Sequence, residues 1–309
     1  MKKTSYLIAT ILLMIGVLVA CGDNGGGTKA FPTVTVQASV NTEMTVMPTE
    51  TPTPEPTSTP TPSLTPTPTP IPHKEPGDFD PKDFFKDVVF CGDSLIHLYR
   101  YRAGPSTHSE IFGDRNASEW LTKTSYCARI AVKDVKSLPP SYRACCPTYR
   151  GAQVNLWDAI PLTGKTRVFM FFGLNDIGIT LVDGFITNYI ALIEHIKETT
   201  PDAKFYVMSI TPMRKDMQTV GRLCNENIHK ANARLQQMCE ENGWTYVDVA
   251  SGLCDANGNL IIYKDGNAIS DGSNVHLTAY GYLFWDEALE KLAREELLKE
   301  YYEEAARGK

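Results

Sequence analysis

Beyond residue 80 the chain alternates short apolar runs with stretches in which apolar positions recur every three or four residues, the pattern of a parallel sheet covered by helices. Val88-Val89-Phe90-Cys91 predicts the first strand, and the chain then turns at Gly92-Asp93-Ser94. Arg167 to Phe172 predicts a second, unbroken in apolar character from Val168 onward, as a strand buried on both faces requires. Phe185, Tyr189, Ile190, Leu192, Ile193 and Ile196 form a stripe at helical spacing, with Pro201 just beyond its end. Phe205 to Ile210 reads as a third strand, Gly221 to Asn242 as a helix stopping at Gly243, and Thr245 to Val249 as a further strand. A long charged helix from about Ala279 to Ala306 closes the chain, and Gly104 to Pro161 is the least legible stretch.

The N-terminal part follows neither period. Lys2 and Lys3 precede an apolar run from Leu7 to Ala20, too short for a comfortable membrane span and ending in Leu18-Val19-Ala20-Cys21-Gly22. That arrangement resembles a bacterial lipobox, which implies diacylation of Cys21 and cleavage before it; the plainer reading is an ordinary signal peptide with a chance cysteine. From Phe31 to about Pro76 Thr, Pro, Ser and Glu dominate, with Thr51-Pro52-Thr53-Pro54 nearly repeated at Thr65-Pro66-Thr67-Pro68-Thr69-Pro70. Apolar residues are too sparse there to offset chain entropy, and alternate prolines favour extended polyproline II, so about 46 residues at roughly 3.1 Å each would reach on the order of 140 Å. The expected organisation is a signal peptide over 1–20, Cys21 and a disordered Thr/Pro-rich stalk over 21–78, bare or carrying O-linked sugar, and one α/β domain over 79–309. Such a protein would sit on the outer face of the cytoplasmic membrane, held by lipid alone.

Charge and cysteine usage narrow the chemistry. A formal net charge of -6 with no cluster of Lys and Arg argues against a nucleic-acid partner. Besides Cys21, cysteines stand at 91, 127, 145, 146, 224, 239 and 254. Their spacing fits no zinc pattern; they read as buried small residues, one or two disulfides, and at least one thiol left over.

In an open parallel sheet, sites collect just past the carboxyl ends of the strands. Three exits stand out: Gly92-Asp93-Ser94-Leu95, Gly173-Leu174-Asn175-Asp176, and a late loop with Asp271-Gly272-Ser273-Asn274-Val275-His276. Singly, each is a plausible turn or helix cap. Together they supply a hydroxyl nucleophile in Ser94, a base in His276 whose ordinary pKa near 6.5 suits proton transfer, and an amide donor in Asn175 for a developing oxyanion. The Ser94 main-chain N–H, at a helix start, is a second donor. Asp93 and Asp176 read as turn and loop braces, His97 as a packed or surface histidine, and Cys91 as inert packing. Tyr101, Tyr149 and Trp157 could be sugar platforms, though core or rim packing is their plainer role.

These ordered blocks resemble the SGNH/GDSL hydrolases over most of Phe85 to Tyr282, with weaker echoes at Asn232 and in His276-Leu277-Thr278. The resemblance implies a three-layer α/β/α flavodoxin-like sandwich with a parallel sheet of about five strands, and esterase or lipase chemistry without metal or organic cofactor. Two positions depart from the family pattern. Its third oxyanion donor usually comes from a glycine between the serine and asparagine blocks, whereas Lys123-Thr124-Ser125-Tyr126 stands here; Ser125 aligns best, and its N–H could still donate. The acid commonly lies three residues before the histidine, where this chain has Ser273, while Asp271 lies five before. Either the loop bulges to bring Asp271 to the imidazole, the favoured reading, or a main-chain carbonyl orients a Ser94–His276 dyad. The expected function is removal of short acyl groups, acetyl foremost, from a surface or extracellular glycan. The rivals are a lipase or lysophospholipase of the same fold and a glycan-binding lipoprotein without turnover.

Overall fold

Strand β1 (Val88–Gly92) is buried at every position because it runs through the middle of a sheet covered on both faces. In this computed structural model residues 71–102, 111–112, 117–219 and 221–308 are described. The expected signal peptide, Cys21 and all but the last residues of the stalk lie outside them. The sheet adds β2 (Glu119–Thr122), β3 (Arg167–Phe171), β4 (Lys204–Met208) and β5 (Thr245–Val247), in the order β2-β1-β3-β4-β5 with every pair parallel. That is the flavodoxin-like order, whose ligand crevice opens where the connections diverge, above the ends of β1 and β3.

The major helices are α1 (Ser94–Arg102), α2 (Leu156–Thr163), α3 (Leu174–Thr199), α4 (Asn225–Asn242) and α5 (Ala279–Ala306). Helix α3 packs between α2 and α4 on one face, while α5 packs with α1 and a short turn at Pro81–Phe85 on the other, which gives the three layers. The register sets Phe90 beside Phe169 and Trp120, and Phe169 stacks on Tyr206 at 4.6 Å between ring centres. Each such buried ring contributes on the order of 1.5–3 kcal/mol by leaving water, so the sheet beneath the strand exits is stiff.

Several boundaries move from their sequence expectation. The stripe at Phe185–Ile196 is the second part of a longer element that begins at Leu174 and bends at Leu181 (φ 59°, ψ -178°). The helix expected from Gly221 starts at Asn225, after Cys224 takes an extended N-cap conformation. The strand expected to Val249 stops at Val247, because Ser209 Oγ captures the Val249 and Ala250 N–H groups at 2.9 Å each and turns the chain. All seven described cysteines are free thiols, so the expected disulfides are not formed. Cys91, Cys127, Cys146 and Cys239 instead fill the core, where burial pushes the Cys127 and Cys239 thiols up to about 12 and keeps them protonated.

Residues 71–80 lie along the last turns of α5. Tyr301 donates to the Pro72 carbonyl at 3.1 Å, the Lys74 N–H donates to Tyr302 Oη at 3.0 Å, and Phe79 meets the Tyr301 ring edge-on. His276 lies just before the opposite end of the same helix.

Candidate active site

The first exit is made possible by Gly92. Its φ of 155° is one that side chains rarely adopt, and a Cβ there would stand 2.3 Å from the Phe171 carbonyl oxygen of β3. The chain passes to Asp93, whose carboxylate accepts the Leu95 N–H at 2.9 Å, and Ser94 opens α1. Burial, reinforced by the nearby Asp176 and opposed by that Leu95 N–H, pushes the Asp93 carboxyl up to about 8. Asp93 thus braces the turn from a site whose burial favours its protonated form.

The second exit has the same logic. Gly173 has φ 137°, and a Cβ on it would lie 2.3 Å from Ile210 Cδ1. Asn175, in the first turn of α3, points its Nδ2 toward Asp93 Oδ2 at 3.4 Å and the Tyr126 carbonyl at 3.3 Å. Both contacts are long, so the amide is oriented without being saturated. The wholly buried Asp176 accepts the Ala128 and Arg129 N–H groups at 3.1 and 2.9 Å and so fixes the segment that follows Ser125. Burial raises its carboxyl to about 6 even against those two hydrogen bonds. Ser125 takes a left-handed conformation (φ 63°), the one a glycine would adopt at lower cost. Among the described residues neither the Ser94 nor the Ser125 main-chain N–H has an acceptor, so both remain available to a developing oxyanion.

Contrary to expectation, the late loop that carries His276 is not the exit of a sheet strand: it follows a separate two-stranded hairpin (Tyr263–Lys264 with Asn267–Ala268), well after the last strand of the sheet ends at Val247. Ser270 and Leu277 form an isolated antiparallel bridge, the Asp271 N–H donates to the His276 carbonyl at 3.1 Å, and the His276 N–H donates to Ser273 Oγ at 3.1 Å. Closed in this way, the loop places His276 Nε2 2.9 Å from Ser94 Oγ, across 182 residues of sequence. Burial lowers the imidazole pKa below 6.5; the Asp271 charge pulls it up and the Arg102 charge down. A half-buried, neutral imidazole beside a serine hydroxyl is equipped to take its proton.

Asp271 does not make the contact expected of it. Its carboxylate accepts from Arg102 Nη1 at 2.5 Å and from the Ser273 N–H at 2.9 Å, and no hydrogen bond joins it to the imidazole. The loop curls through Ser273, and although burial is the largest single influence and raises the carboxyl, the hydrogen bonds from Ser273 and Arg102 together with the guanidinium charge hold it below its ordinary range. Ser94 thus contacts His276, and Asn175 joins the turn before Ser94 to the segment after Ser125 through Asp93 and Tyr126, while Asp271 is turned to Arg102.

Other candidates fall elsewhere. Asn232 pairs both amide groups with Ile210, accepting its N–H and donating to its carbonyl at 2.8 Å each, which braces the exit of β4. Trp157 meets His195 edge-on near the end of α3 remote from Asn175, and Tyr149 donates to the Leu162 carbonyl. Tyr101, 60% exposed on α1, packs against His97, whose Nδ1 lies 3.0 Å from Thr122 Oγ1. The described residues contain no group of three or more His, Cys, Asp or Glu arranged to hold a metal ion. Arg102 escaped sequence reasoning, since the end of a helix carries no signal for a partner 169 positions away.

A GDSL-like lipase from Bacteroides thetaiotaomicron is 17% identical with a TM-score of 0.46, over 72% of this chain and 94% of that one. A protein described as an acylhydrolase from Bacteroides fragilis is 19% identical at 0.47, over 69% and 88%. A carbohydrate esterase family 3 structure from Talaromyces cellulolyticus is 13% identical at 0.45, over 69% and 98%. No curated protein matches the chain. Residues 90–283, more than half of the sequence and including both strand exits and the late loop, match the GDSL-like Lipase/Acylhydrolase family, and the chain belongs to it.

Proposed function

We propose that the domain is a serine esterase that removes short acyl groups, acetyl foremost, from a glycan outside the cytoplasm, to which a lipid on Cys21 and the Thr/Pro-rich stalk deliver it. One observation carries the catalytic part: the 2.9 Å approach of Ser94 Oγ to His276 Nε2 beside two free N–H donors and the Asn175 amide. Ser94 Oγ attacks the ester carbonyl carbon while its proton passes to Nε2. The carbonyl oxygen becomes an oxyanion and accepts from the Ser94 and Ser125 N–H groups and from Asn175 Nδ2. Collapse breaks the bond to the leaving oxygen, which takes the proton from the imidazolium and departs as alcohol. Water then attacks the acyl-serine, giving its proton to His276, and the carboxylic acid leaves as Ser94 regains its hydrogen.

The glycan assignment rests on the export signal and the reach of the stalk, because an enzyme tethered outside the cytoplasm meets polysaccharide and peptidoglycan before cytosolic thioesters. Purified residues 71–309 should hydrolyse p-nitrophenyl acetate and Ser94→Ala should not; equal rates for the two proteins would instead support a binding module. Acid released from acetylated xylan, acetylated peptidoglycan and phospholipid distinguishes a glycan deacetylase from a lipase, and release from phospholipid alone would overturn the substrate class.

A further inference from the structure

His276 must present one edge of its ring to Ser94 and keep it there. In the reading above that task would fall to an acid on Nδ1, yet the only carboxylate of the loop is engaged elsewhere. The group that engages it is Arg102, the last residue of the helix whose first residue is Ser94. Its Nη1 makes two hydrogen bonds, to Asp271 Oδ2 at 2.5 Å and to the Leu277 carbonyl at 2.8 Å. These acceptors flank the turn at its base, where the bridge between Ser270 and Leu277 closes it. One side chain thus grips both ends of the segment carrying the base, from the same rigid rod that carries the nucleophile. From the opposite side Arg214 donates through Nη1 to the Gly272 carbonyl at 3.2 Å and through its main-chain N–H to Asn274 O at 3.0 Å.

We propose that Arg102 is the positioning residue of the general base: by tying Asp271 and the Leu277 carbonyl to the nucleophile's own helix it fixes the His276 ring against Ser94, in place of a carboxylate bonded to Nδ1. The assignment rests on the Ser94–His276 reading and adds to it that Asp271 acts through Arg102. The guanidinium has a second effect. The charges acting on the imidazole are Asp271 from its own loop and Arg102 from α1, of opposite sign, with burial the largest influence. Arg102 thereby masks the carboxylate that would otherwise favour the imidazolium, and the base stays unprotonated to lower pH.

Three variants test this by kcat/KM against pH with p-nitrophenyl acetate. Arg102→Gln should lose about tenfold or more in kcat/KM, the scale of a modest misplacement of reacting groups, and its acid limb should move to higher pH because Asp271 is unmasked. Arg102→Gln/Asp271→Asn should return the limb to or below its wild-type position without restoring the rate. Asp271→Asn alone, whose amide oxygen still accepts from Arg102, should stay within several-fold of wild type. The imidazole is titrated independently by NMR of the His276 Cε1–H in a Ser94→Ala background, with and without Arg102→Gln, and should show the same upward displacement. An Asp271→Asn loss near the ~10⁴-fold typical of a broken triad, with Arg102→Gln nearly unchanged, would overturn the proposal, as would an Arg102→Gln imidazole that titrates as before. Absence of any Ser94-dependent hydrolysis would overturn the esterase reading instead, and the NMR titration still reports on Arg102.

Discussion

Asp93→Asn should flatten the pH dependence of folding. Asp93 is wholly buried beside Ser94, bonded to the Leu95 N–H, and close to Asp176. Burial and that neighbour carry its carboxyl from 3.8 to about 8. The folded chain therefore keeps a proton that the unfolded chain releases above about pH 4, so the contribution to stability is full at low pH, falls as pH rises toward about 8, and changes no further beyond it. A span of roughly four pH units at 1.36 kcal/mol each is on the order of 5 kcal/mol, comparable with the whole stability of many domains. Asparagine is neutral throughout, and its Oδ1 can still accept from Leu95, so the variant should lose this part of the slope and keep the smaller part due to Asp176, whose carboxyl is raised to about 6. Urea unfolding followed by tryptophan fluorescence at about pH 5, 7 and 9 measures it. Wild type should weaken progressively across the series and Asp93→Asn much less. Parallel declines in the two proteins would mean that Asp93 is ionised in the fold and that the reasoning from burial is wrong.

Three further outcomes follow from the crevice. Asn175→Ala should reduce kcat on an acetate ester by roughly 10²–10³, about 3 kcal/mol of transition-state stabilisation, with little change in melting temperature; an unchanged kcat would remove Asn175 from the oxyanion site. Ser125→Gly should raise stability by about 1 kcal/mol, because Ser125 occupies the left-handed region and glycine does so without the Cβ penalty, while activity persists through the main-chain N–H. Because burial holds the His276 pKa below 6.5, the acid limb of the wild-type kcat/KM profile should lie below pH 6.5; a limb above that value would contradict a desolvated base.

How far the sequence reveals this arrangement depends on the range of each interaction. Continuous apolar runs disclose β1 and β3, because burial on both faces is written into consecutive residues. Helix α5 runs from Ala279 to Ala306 as its pattern predicts, since Thr278 caps it by accepting the Gly281 N–H. The short outer strand Glu119–Thr122 leaves too few residues to show a period, and the Leu181 bend hides the first turns of α3, which carry Asn175. Ser94, Asn175 and His276 are visible because the proposed chemistry restricts the residue types at two strand exits and one loop. The destination of the Asp271 carboxylate is not, for nothing local distinguishes an acid that faces an imidazole from one that faces a guanidinium brought in from another element. Ser125 is an intermediate case: the absent glycine suggested lost freedom, whereas the serine adopts the glycine-like conformation.

The tyrosine clasp at the far tip of α5 has a mechanical consequence. A helix of 28 residues is a rod roughly 40 Å long, and residues 72–74 are buttoned to one tip while the His276 ring stands just before the other. A pull applied at Pro72 or Lys74 would therefore be taken up first by Tyr301 and Tyr302, a helix length away from the Ser94–His276 contact.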